Sequence, residues 1–212
     1  YGLFLKVALA DNISIFVDEG FTVSSQNLSA IDVWTLAFLF GFQIYFDFSA
    51  YSHIAIGSAR LFGISFPENF NFPYLSNSPK EFWKKWHISL SSWIRDYLYL
   101  PLNKFKSKNN SNFGIGDEAF KSPANKSLFI TWSLMGLWHG ANWTFLIWGI
   151  FHACFIFIYR KFNNLNIKLF KFYNHFGVLL TLPFIMLGWI PFRSESLTQT
   201  LELFRIILDP FK

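Results

Sequence analysis

The chain of 212 residues is 52% hydrophobic and 22% aromatic but only 15% charged, where a soluble domain runs near about a quarter charged. Its 29 Phe, 9 Trp and 8 Tyr supply more bulky apolar surface than a core of this size can hide, which excludes an ordinary soluble globule and makes lipid the second solvent. The net charge of +5 falls mostly in two loops between uncharged apolar runs, a distribution that argues against a nucleic-acid binder. The single Cys154 excludes an intramolecular disulfide framework and a cysteine-rich zinc site. The chain begins at Tyr1 without an initiator Met, and no signal peptide precedes the first apolar stretch, so it is read as an internal piece of a longer protein.

In chain order, three stretches reach the about 20 apolar residues that a hydrocarbon core of about 30 Å demands: 33–59, 127–159 and 172–192. The first holds one acid, Asp47. The second has no Asp, Glu, Lys or Arg between Lys126 and Arg160, and the third none between Lys171 and Arg193. Lys and Arg number one in residues 1–32, nine in 80–126 and four in 160–171. By the positive-inside rule the two richer loops are cytoplasmic and the N-terminal segment is outside. Residues 33–59 then cross inward and 172–192 outward, while 127–159, basic on both flanks, must leave and return on one side. Its middle, GLWHGANW (136–143), carries the break, and the arms 127–138 and 144–159 reach only about 18 and 24 Å at about 1.5 Å per residue. The expectation is an all-α polytopic membrane protein with a broken, re-entrant helix pair whose break lines a protein or water cavity.

Between the first two stretches, Ser78-Pro79-Lys80-Glu81 has the form of a capping box with Pro at the first helical position, and it predicts a helix over 79–100. At about 100° per residue, Phe82, Trp83, Trp86, Leu90, Trp93, Ile94 and Tyr97 share one face and Lys80, Lys84, His87, Ser91 and Arg95 the other. Such a basic, Trp-rich amphipathic helix suits the membrane interface. Residues 103–126, polar and rich in Gly, Asn, Ser and Lys, read as a flexible basic loop. No internal repeat is visible.

Chemistry, on this sequence, rests on histidine. His139 sits at the break of a charge-free segment, where an ionisable group normally faces a cavity or pathway; the bland alternative is a histidine that caps a kink. His87 reads from spacing as a solvated residue on the cationic face, His152 as a satisfied core residue, and His53 and Asp47, six residues apart, as neither a helical pair nor a metal site. No Gly-rich phosphate loop, His-Glu-x-x-His or nucleophile elbow occurs.

Five stretches carry a resemblance: GLFLKVALADNIS (2–14), QIYFDFSAYSHIAIGSARLFGI (43–64), FWKKWHISLSSWIRDYLYLPL (82–102), GLWHGANWTFLIWGIFHA (136–153) and LGWIPFR (187–193). In this order the chain resembles the membrane-bound O-acyltransferase (MBOAT) family, in the bacterial branch that O-acetylates alginate. The resemblance implies that His139, in Trp-His-Gly, is the catalytic histidine and that His87 is the second family histidine. It departs at His53, where the family often has Asp, and at Asn103-Lys104-Phe105-Lys106, where it often has a Gly-Gly-Asn-Arg turn. The implied activity is transfer of an acetyl or similar acyl group from a cytoplasmic thioester to a hydroxyl of an exported or cell-surface polysaccharide, by a multi-pass protein of the bacterial inner membrane.

On that reading His139 is the general base, with Asn142 and Asp47 as supporting polar groups. No cofactor is bound, since acyl-CoA or an acyl carrier protein enters as substrate. Lys80, Lys84 and Arg95 are candidates for recruiting this anionic donor, with anionic lipid headgroups as the competing ligand. The expected partners are the bilayer, the polysaccharide, an acyl carrier protein and an extracytoplasmic acyltransferase; nucleic acid is not among them. Alternatives are D-alanyl transfer to teichoic acid and, in another class, a transporter or channel with a His-lined pathway.

Overall fold

The computed structural model describes residues 1–102, 125–164 and 169–209, and all long regular elements among them are helical. We number these α1 (Asp11–Thr22), α2 (Ala30–Leu61), α3 (Pro79–Lys85), α4 (Ile88–Ile94), α5 (Asn125–His139), α6 (Trp143–Asn164), α7 (Leu169–Arg193) and α8 (Leu197–Leu208). Two wide π-helical turns, Leu5–Ala10 and Arg95–Tyr99, precede α1 and follow α4. By length and composition Ala30–Leu61, Trp143–Asn163 and Phe176–Arg193 are able to cross a membrane. The chain divides into two compact units, Tyr1–Glu68 with Met186–Lys212, and Asn69–Ile185.

In the first unit, α2 starts at a capping box: Asp32 N–H donates to Ser29 Oγ at 3.3 Å and Ser29 N–H donates to Asp32 Oδ2 at 2.8 Å. It ends in a Schellman pair, Gly63 N–H to Arg60 O and Ile64 N–H to Ala59 O, both 3.0 Å. Phe40 meets Phe21, Trp189 and Phe192, and the Arg193 guanidinium lies 5.3 Å from the Phe21 ring while pairing with Asp18 at 2.8 Å. The end of α1, the start of α2 and the end of α7 therefore sit side by side. Asp47, inside α2, is met by Lys6 from the first π-turn: Lys6 Nζ stands 2.7 Å from Asp47 and 2.8 Å from Asp11. These two carboxylates raise the lysine pKa, so its charge is secure.

The second unit is built on the α5–α6 hairpin. A Cβ on Gly136 would meet the backbone oxygen of Phe145, and one on Gly149 that of Trp132. Only glycine at both positions lets the two backbones touch, the small-residue packing used between helices in lipid. The sequence expectation of a break near residues 136–143 is met at Gly140–Asn142, but the expectation of two short arms is not. The 22-residue α6 is about 33 Å long at about 1.5 Å per residue, because its helix continues past Tyr159 through Arg160 and Lys161; the 15-residue α5 is the short partner.

A second correction concerns the helix expected over 79–100. Ser78 does cap it, accepting from Glu81 N–H at 3.1 Å, while Glu81 reaches back to Asn77 N–H at 2.8 Å. The helix nevertheless stops at Lys85: Trp86 is extended and His87 is left-handed, with φ of 44°. The angular count at about 100° per residue fails across that turn. Arg95 consequently leaves the predicted stripe and is buried, its guanidinium held by Asp96 through Nε and NH2 at 2.7 and 2.8 Å. Trp93 and Tyr97, expected on the buried face, are 57% and 69% exposed, whereas Phe82, Trp83 and Trp86 are buried. Of the loop expected at 103–126, residues 103–124 lie outside the described ones and Asn125–Lys126 already open α5.

Candidate active site

His139 is the last residue of α5, and the two residues after it end the helix, so its imidazole stands at the tip of the hairpin. Three rings frame it: Trp138 at 4.9 Å, Trp148 at 5.1 Å and edge-on, and Phe145 at 6.5 Å. Asn142 closes the break as the N-cap of α6, its Oδ1 accepting from Thr144 N–H at 3.2 Å.

His152 belongs to the same aromatic block. It is fully buried, and Trp83, Trp148 and Trp132 lie 5.0, 5.0 and 5.7 Å from its ring. The core reading of His152 is the one this packing matches, though the residue abuts Trp148, whose indole also meets His139. Trp83 comes from α3, so the block ties the hairpin to the segment that carries His87.

His87 stands in the left-handed turn between α3 and α4. Its backbone conformation costs a non-glycine residue about 1–2 kcal/mol and is gripped from both sides by the preceding loop: Ile88 N–H donates to Asn69 O and Asn71 N–H to Lys85 O, each at 3.0 Å. The Asn69 side chain adds a third hold, its Oδ1 accepting from Ser89 N–H at 3.0 Å and Ser89 Oγ–H at 2.9 Å. Burial pushes the His87 pKa down to about 4, and the nearby imidazole of His139 pushes it the same way. His87 and His139 thus lie in the same unit, near enough for the charge of one to disfavour that of the other, and His87 is half-buried and not a solvated face residue. At neutral pH its imidazole is neutral and able to accept a proton.

Among the other predicted residues, Lys80 and Lys84 are half-buried on α3 in this same unit, and Arg95 is held by Asp96 as described. Asp47 falls in the first unit, paired with Lys6. His53, also there, meets the Tyr1 ring edge-on at 4.9 Å. Among the described residues no three His, Cys, Asp or Glu side chains are grouped to hold a metal ion. A cleft of about 610 Å³ between Ser25–Ala30 and Glu202–Asp209 is lined by none of the candidate residues. Sequence reasoning missed Asn69 and Ser89. The turn-forming composition of PENFNFPYLSNSP (67–79) signals a structured loop, but nothing in the spacing ties Asn69 to His87.

A helical protein with apolar spans and two half-buried histidines in one unit, one of them at a helix break, is a class with several possible chemistries; sequence comparison narrows it. The signature of the MBOAT, membrane-bound O-acyltransferase family matches residues 1–190, and the chain belongs to that family. It is 42% identical over 196 residues to the "Probable alginate O-acetylase AlgI" of Pseudomonas syringae pv. tomato, covering 92% of this chain and 35% of that protein. It is 36% identical over 205 residues to the "Peptidoglycan O-acetyltransferase" of Helicobacter pylori, covering 96% of this chain and 36% of that protein. To the "Teichoic acid D-alanyltransferase" of Bacillus subtilis it is 31% identical over 182 residues, 80% of this chain and 45% of that protein. The chain thus spans about a third of the length of the first two relatives.

Proposed function

We propose that this chain carries the acyl-transfer centre of a bacterial inner-membrane O-acyltransferase that moves an acetyl or similar acyl group from a cytoplasmic thioester to a hydroxyl of an exported or cell-surface polysaccharide. The observation that carries the reading is His139 at the hairpin tip beside His87, in a chain whose relatives transfer acetyl groups to polymers. The imidazole of His139 takes the proton of the acceptor hydroxyl as its oxygen attacks the thioester carbonyl; the C–O bond forms, the C–S bond breaks, and the leaving thiolate recovers the proton. General-base help of this kind contributes about 10²–10⁴-fold.

Asn142, fixed by its cap, donates from its amide to the carbonyl oxygen where negative charge develops. Donor binding falls to Lys80 and Lys84, which remain on α3, attracting the phosphates of coenzyme A or an acidic carrier protein. The hairpin enters the membrane from the cytoplasmic side and returns, which brings its tip to the boundary between donor and acceptor pools. A partner that completes transfer outside the membrane belongs to this reading. The D-alanyltransferase likeness supports a second one, in which an aminoacyl group is carried to teichoic acid by the same histidines.

Transfer of a radiolabelled acyl group by the full-length protein to candidate glycans tests the proposal. His139→Ala is expected to reduce the rate at least about 100-fold with membrane accumulation unchanged. Retention of more than a tenth of the wild-type rate overturns the base assignment, and solute flux in proteoliposomes without an acyl donor would point to a transporter.

A further inference from the structure

Asn69 holds His87 in a way that fixes which ring nitrogen carries the proton. The identity of the amide atom facing the turn is set by Ser89, whose backbone N–H can only donate and stands 3.0 Å from it; that atom is therefore Oδ1. The Ser89 hydroxyl, at 2.9 Å, donates to the same oxygen. His87 Nδ1 faces this oxygen too, at 3.4 Å. An amide oxygen accepts and never donates, so the contact is attractive only when Nδ1 bears the hydrogen and repulsive when it bears the lone pair.

Ile88 N–H, donating to Asn69 O, and Asn71 N–H, donating to Lys85 O, hold the His87 backbone in its left-handed conformation and keep the residue beside Asn69. A strained residue persists only where its surroundings over-determine it, and here one asparagine supplies both a backbone and a side-chain hold.

We propose that Asn69 is a positioning residue that fixes His87 as its Nδ1–H tautomer, so that Nε2 is the nitrogen that accepts a proton or hydrogen bond at the acyl-transfer site. The proposal rests on the functional reading above for what Nε2 is used for, but the tautomer itself does not depend on it. The contact is long for an N–H···O bond and is expected to tighten when substrate fills the site, as hydrogen bonds of catalytic groups do. His87 then offers a second basic nitrogen beside His139, and the two imidazoles divide the work: one takes the acceptor proton while the other binds or relays it.

The test uses the full-length protein, labelled with 15N-histidine, in lipid nanodiscs, with the His87 signals assigned by their loss in His87→Gln. Nitrogen shifts separate a protonated from an unprotonated ring nitrogen without any turnover. Wild type is expected to show Nδ1 protonated and Nε2 unprotonated. Asn69→Leu should mix the tautomers and lower kcat at least about 10-fold with the acyl-donor KM unchanged, the full cost of a wrong tautomer in a serine protease being about 10⁴-fold. Asn69→Asp, which keeps an acceptor, should restore the tautomer and most of kcat. Wild-type His87 with its proton on Nε2 overturns the proposal, and needs no variant to fold. So does Asn69→Leu with the wild-type tautomer. If instead the wild-type full-length protein transfers no acyl group, the acyl-transfer reading fails while the His87 tautomer is still measured.

Discussion

At the scale of single residues, the protonation of His87 links the site to stability. Its pKa in the folded protein lies at about 4, against 6.5 when unfolded, because burial and the charge of the His139 imidazole disfavour its cation. Between these values the unfolded chain binds a proton that the folded chain refuses. Stability is therefore present in full above about pH 6.5, declines as pH falls, and stops declining from this source near pH 4. Thermal unfolding of the detergent-solubilised protein across that window is expected to show a falling Tm, and His87→Asn is expected to flatten the fall. An unchanged slope in the variant would remove His87 from the account. The same residue shows where sequence reading reached its limit. Helical spacing placed His87 on a solvated face, and only the family motif raised it; its turn is held by Asn69 and Asn71 in a loop well upstream, a long-range hold that a local period does not report.

Elements divide along the same line. The start of α3 was legible because Ser78 is a cap whose partner lies three residues on, and the break at Gly140–Asn142 was legible because glycine and asparagine end helices locally; the start of α2 at Ala30, capped by Ser29 and three residues before the apolar stretch, was not read. The end of α3 was not, since Trp86 and His87 carry no breaking signal and the turn is imposed by tertiary contacts. Part of what was derived from unbroken periodicity over 79–100 failed with it, the places of Arg95, Trp93 and Tyr97, while Phe82, Trp83 and Trp86 are buried as expected. The hairpin offers a direct check of the packing argument. Gly149→Leu puts a side chain where the Trp132 backbone oxygen lies, and overpacking of this kind costs about 1–3 kcal/mol. The variant should show a lower Tm and a smaller monodisperse fraction after extraction; Gly57→Ala, whose Cβ meets no atom within 4 Å, should behave as wild type. Equal loss in both would refute close backbone packing as the reason for glycine at 149.

For the whole molecule, the Lys and Arg asymmetry sets a testable topology. In a Cys154→Ala background, a cysteine at Asn27 should react with an impermeant thiol reagent in intact cells, and one at Lys161 should react only after lysis. Labelling of Lys161→Cys in intact cells would overturn the arrangement. The spans themselves were legible because a bilayer demands a length and a hydropathy that a short window of sequence displays. How the spans are joined by polar contacts was not, and the pairing of Lys6 with Asp47 is the clearest case.

That pairing bears on how the protein is made. Asp47 lies within the long apolar helix α2, and an unaccompanied carboxylate at the centre of a membrane helix costs about 2.5–3.5 kcal/mol on insertion. Lys6 precedes it in the chain and so leaves the ribosome first; its ammonium, shared with Asp11, is then available to offset the Asp47 carboxylate as α2 inserts. Biogenesis then depends on the order of two residues that contribute nothing to each other until both have been synthesised. Lys6→Met should lower the amount of inserted protein severalfold, and adding Asp47→Leu should recover it, because the second change removes the orphaned charge. Equal yields of Lys6→Met and wild type would mean that α2 enters the membrane without help from its predecessor.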